Sequence, residues 1–139
     1  MATIKSYTNR EQSKKLAEIL PLESADMYYC KEGGLPKWIL TYETYRFVSQ
    51  DIDIPCWSLA ALLSILPNEI IIDNRLESHY QIHIRKYDGG DNNTLYQIAY
   101  GNNRGSSGSW HDMINTGEKE NLIDCCVQMI INLHEQKLL

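Results

Sequence analysis

The segment from His79 to Gly101 restricts the possible folds of this chain more than any other. In "HYQIHIRKY", Tyr80, Ile82 and Ile84 alternate with Gln81, His83 and Arg85, the period-two pattern of a strand with one buried face. "DGGDNNT" has the composition of a turn, and "LYQIAYG" resumes the alternation, so residues 80 to 100 predict an antiparallel hairpin. A hairpin with one apolar face needs another layer to cover it, and helices can supply that layer.

Three helices are readable. Thr8 followed by Glu11 is a capping-box pattern, in which both side chains satisfy backbone N–H groups at a helix start near residue 9. Leu16, Ile19 and Leu20 share a face of that helix, and Pro21 ends it. In "PCWSLAALLSILP", Pro55 stiffens the approach, Ser58 is a good N-cap, and Leu59, Leu62, Leu63 and Leu66 form an i, i+3, i+4, i+7 stripe. Ala60, Ala61 and Ser64 are expected to let another element approach the other side closely. "ENLIDCCVQMIINLHEQKLL" is the strongest helix, with Asn121 as N-cap, Asp124 in the first turn, and a broad face of Ile123, Cys126, Val127, Ile130 and His134.

Further strands fit between these helices. "MYYC" and "KWILTYETYRFV" predict two strands joined by a turn at "KEGGLP", with Trp38, Leu40 and Tyr42 alternating against Ile39, Thr41 and Glu43. "NEIIIDN" predicts a short strand, and "NNRGSSGSW" a flexible surface loop. The order implies a single α+β domain over residues 1–139, with about three helices packed on one face of a mostly antiparallel sheet. A chain of 139 residues buries enough surface to do this without staples.

Charge narrows the function classes. Thirteen Lys and Arg against 18 Asp and Glu leave a net charge of -5, which argues against a nucleic-acid partner. No apolar run approaches membrane-spanning length, and "MATIKSYTNREQSKK" lacks the apolar core of a signal peptide, so no membrane association and a cytoplasmic location are expected. Cys30, Cys56, Cys125 and Cys126 are then expected to be free thiols; Cys125 and Cys126, adjacent on a helix, point about 100° apart.

Several places have residue types that chemistry could use. No C-x-x-C, H-x-x-x-H or H-E-x-x-H spacing of a metal site is present, and His79 and His83 lie about 13 Å apart along a strand, so no metal is expected. Cys56, ahead of a helix N-terminus, has the position of an activated thiol, but a small buried residue beside Trp57 is the simpler reading. Residues 102 to 112 most resemble a ligand loop: Arg104 could hold an anion, His111 and Asp112 could orient each other, and Trp110 re-enters the core. A plain hairpin connection accounts for the same residues. The nine tyrosines cluster on strands, and those off the core parity, Tyr87, Tyr96 and Tyr100, are candidates for a contact surface.

On "REQSKKLAEILPLESADMYY", "PCWSLAALLSILP" and Trp110 combined with "ENLIDCCVQMIINLHEQKLL", the chain resembles a group of small proteins of gut-bacterial genomes, often found in prophage or other mobile-element neighbourhoods. The likeness covers the two ends and the middle helix; residues 68 to 109 are less distinctive. Members tend to carry NP-[VI]-DAC where this chain has Asn121-Leu122-Ile123-Asp124-Cys125-Cys126, so the helix-starting proline is missing here. The group has no established activity, so the resemblance implies no catalytic residues and no cofactor. The expectation is a non-enzymatic binding or accessory protein of a mobile element, meeting a protein partner or a second copy of itself. The alternative is a small enzyme or ligand-binding domain using the 102–112 loop with Cys56 or His111.

Overall fold

Asn9, not Thr8, opens the first helix in the computed structural model of the chain, which describes residues 5–31, 38–41, 53–73, 75, 78–104 and 108–139. Asn9 accepts the Gln12 backbone N–H at 2.8 Å, and the Gln12 side chain accepts the Asn9 N–H at 3.1 Å, a capping box one residue later than expected. Thr8 is unavailable as a cap because its hydroxyl is fully buried, sharing a hydrogen bond with Ser13 at 2.7 Å and accepting the Trp57 N–H at 3.2 Å. Helix α1 runs Arg10–Ala17 and buries Leu16, with Leu20 buried just beyond it.

The chain divides into two units, one of them Lys5–Ile65. It contains α1, strands β1 (Met27–Lys31), β2 (Trp38–Thr41) and β3 (Asp53–Cys56), and helix α2 (Leu59–Ile65). β1 lies between β2 and β3, antiparallel to both. The β1–β2 pairing agrees with the expected hairpin; its turn, and Tyr42 and Tyr45 further on, lie outside the described residues. β3 departs from the sequence reading, in which Pro55 only stiffens the approach to the next helix. Its place at an edge of the described strands, opposite Tyr28, accommodates a residue with no N–H to donate.

Ser58 caps α2 as expected, accepting the Ala61 N–H at 3.1 Å. The Asp26 carboxylate fixes this cap by accepting both the Ser58 N–H, at 2.9 Å, and the Ser58 hydroxyl. Leu62 and Leu66 are buried, whereas Leu59 and Leu63 are half-buried. The small side is not a close-packing surface: Ala60 and Ser64 are exposed, and Ser64 turns its hydroxyl back onto the Ala60 carbonyl at 2.9 Å. Trp57 is fully buried, and its indole N–H is satisfied by Ser24 Oγ at 3.0 Å.

The other unit takes in Leu66–Leu139. Here β4 (Glu69–Ile71), β5 (His79–Asp88), β6 (Thr94–Arg104) and β7 (Ser109–Asn115) form an antiparallel sheet in the order β4-β5-β6-β7, and α3 (Leu122–Glu135) packs against β6. The strands among the described residues thus form two antiparallel sheets, a three-stranded and a four-stranded one. The β5–β6 hairpin forms as the sequence predicts, but of its expected buried face only Tyr80 is buried, Ile82 being half-buried and Ile84 exposed. Ile82 faces Tyr100 and Ile84 faces Ile98, and the chain reverses through Gly90, Asp91 and Asn92, all with positive φ, a conformation that Gly, Asp and Asn tolerate best.

Two expectations are corrected in this unit. The presumed surface loop is mostly strand, since β6 continues to Arg104 and β7 begins at Ser109, with 105–107 outside the described residues. On α3, His134 is exposed, and the buried face is completed by Cys125, Met129 and Leu133. Asn121 occupies the N-cap position of α3 without a capping bond from its side chain.

Candidate functional site

The pleat of the four-stranded sheet sorts its side chains onto two faces. Tyr80 and Ile82 of β5 share a face with Ile98 and Tyr100 of β6, and Tyr100 lies close to Cys126 of α3, so this face looks toward the helix. Gln81, His83, Arg85 and Tyr87 therefore point to the other side, with Gln97, Ala99 and Gly101 of β6. β7 would not join them without a bulge. Tyr100 pairs with Ile114, but the next residue, Gly101, pairs with Asp112, so one residue of β7 is skipped between them. In an unbroken ladder Ile114, Asp112 and Trp110 would all share the helix side; the bulge transfers Asp112 and Trp110 to the open side.

There they complete a network spanning three strands. The Arg85 guanidinium donates to both Asp112 oxygens, at 2.9 and 2.7 Å, and to Gln97 Oε1 at 3.0 Å. Tyr87 donates its hydroxyl to the same Gln97 oxygen at 3.0 Å, and the Trp110 indole N–H donates to Asp112 Oδ1 at 2.6 Å. The Trp110 ring stacks on His83 with centroids 3.6 Å apart and planes 13° from parallel. Gly101 makes this possible: a Cβ there would stand 2.8 and 2.9 Å from two indole carbons and 2.3 Å from the His111 carbonyl oxygen.

The two charges of the network hold each other. The guanidinium of Arg85 is the main cause that holds the Asp112 carboxyl below the usual carboxylate range, and Asp112 in turn raises Arg85. Both side chains are about a quarter exposed, at 24% and 23%. An ionised carboxylate whose oxygens are already taken by two guanidinium nitrogens and an indole is a poor general base at neutral pH. What the face offers is a fixed arrangement of aromatic rings and amide groups whose opposite charges are internally matched. Beside Tyr87, at the hairpin tip, lies an open hollow of about 380 Å³ lined also by Lys86, Asp88, Asn92, Asn93 and Thr94.

Of the expected ligand residues, the fold brings Trp110 and Asp112 together and separates the other two from them. Arg104 lies on the helix-side parity, donating to the Tyr80 hydroxyl at 2.7 Å and to Asn102 Oδ1 at 3.1 Å, with its guanidinium carbon 5.6 Å from the Tyr80 ring centroid. His111 pairs with Asn102 and so alternates away from Asp112, which takes its hydrogen bonds from Arg85 and Trp110 instead. Among the expected contact tyrosines, Tyr87 joins the network. Tyr100 is corrected: it is fully buried, donates its hydroxyl to the Pro67 carbonyl at 2.6 Å, and has its phenol pKa raised mainly by burial. Tyr96 is half-buried on the same parity as Tyr100, its backbone bonded to Lys119 at 2.7 and 2.8 Å. His83, Arg85, Gln97 and Gly101 were not foreseen as site residues, although the polar half of the β5 alternation was the signal for the first two.

Cys56 sits in the Lys5–Ile65 unit inside a buried polar cluster. Its Sγ donates to the Thr8 carbonyl at 3.4 Å, and Tyr29 donates its hydroxyl to the same oxygen at 2.8 Å. Loss of solvent pushes the Cys56 thiol pKa up, the opposite of what a nucleophile requires. Cys125 and Cys126 are buried as well, with desolvation raising both and carrying Cys126 to about 12. None of the four cysteines forms a disulfide. Among the described residues no group of three or more His, Cys, Asp or Glu is placed to hold a metal ion, and no helix is long and apolar enough to cross a membrane.

Fold and site together define an α+β protein whose four-stranded sheet is covered by a helix on one side and carries an ordered aromatic and polar network on the other. No family model, curated protein or solved structure matches the chain.

Proposed function

We propose that the chain is a non-enzymatic binding or accessory protein, acting through protein–protein contacts at the open face of β5, β6 and β7, with a protein partner or a second copy of itself. The observation that carries this reading is the locking of Trp110, Arg85 and Tyr87 into one network on that face. Trp, Tyr and Arg supply most interface hot spots, and side chains already held in place lose less entropy on binding. Because the Arg85 charge is matched by Asp112, the face suits a protein surface better than a phosphate backbone.

The sheet edges are less suited to pairing with another chain. β4 is three residues long, and β7 is interrupted by the bulge, two features that discourage strand addition. A place in the cytoplasm rests on the lack of an apolar run of membrane-spanning length in the sequence, and a place in the biology of a mobile element on the resemblance. Sedimentation across a concentration series tests the self-association half: a dimer of the wild type that dissociates in Tyr87→Ser supports it. A monomer at every concentration leaves a different protein as the partner.

A further inference from the structure

We draw no further inference here: the strongest candidate, the aromatic and polar face of the four-stranded sheet around His83 and Trp110, belongs to the site already described, and nothing in the structure shows what covers it.

Discussion

Trp110 of β7 reaches across Gly101 of β6 to stack on His83 of β5, with the ring centroids 3.6 Å apart. Three strands are thus tied by one aromatic contact that depends on a missing side chain. In Gly101→Ala the new methyl would stand 2.3 Å from a backbone oxygen, so the strand or the indole must move. The expected cost is roughly 1 to 3 kcal/mol, the usual range for overpacking, read from urea unfolding. A loss within about 0.5 kcal/mol, typical of plain surface changes, would show that the ring does not lie over the glycine.

The Arg85–Asp112 pair should show measurable coupling in a double-mutant cycle with Arg85→Ala and Asp112→Asn. For a paired, partly exposed ion bridge the coupling is up to about 1 kcal/mol at neutral pH. Because the folded state holds the Asp112 pKa below its unfolded value, the stabilisation is present above the ordinary carboxylate range and is lost as pH falls through the lowered folded value. Unfolding curves of wild type and Asp112→Asn should therefore converge toward acid pH. A gap that widens on acidification would mean the wrong sign.

Neighbouring leucines on α2 should behave differently. Leu62 is fully buried, and its replacement by alanine is expected to cost about 2 to 5 kcal/mol. Leu63 is half-buried, so Leu63→Ala should cost clearly less. Equal losses for the two substitutions, measured by chemical denaturation, would contradict the helix orientation.

Thiol labelling should divide the cysteines by burial. Cys30 is half-buried while Cys56, Cys125 and Cys126 are buried, so Cys30 should react first in the native protein and all four after denaturation. Mass spectrometry of the labelled peptides identifies the order. Rapid stoichiometric modification of Cys56 would restore a case for a reactive thiol there.

Local signals in the sequence located most elements, because caps, prolines and alternation act over a few residues. Ser58 and the alternation of Tyr80, Ile82 and Ile84 belong to this kind. Choices made by distant partners were not legible. Thr8 and Asn9 are both competent caps, and the helix starts at Asn9 because Thr8 is engaged by Trp57, 49 residues away. The site was hidden for the same reason. One skipped residue in β7 reverses the faces of Trp110 and Asp112, and no local pattern in "SWHDMIN" records it. Tyr100 was misplaced because a parity within β6 has no meaning until its register against β5 places it opposite Ile82.

Under the proposed function, the open face of the four-stranded sheet, not its helix-side face, makes the functional contacts. The most direct test is quantitative affinity capture from the native host with mass spectrometry, comparing wild type with Tyr87→Ser and Trp110→Ala, and with Ile84→Ser as the control. Ile84 is 49% exposed but points to the helix-side parity, so its substitution probes surface change on the wrong face. The same specific protein, or a tagged second copy of the chain, is expected to be recovered by wild type and Ile84→Ser and lost from both open-face variants while they remain folded. Recovery unchanged by Tyr87→Ser and Trp110→Ala, or loss only with Ile84→Ser, would contradict the proposed function.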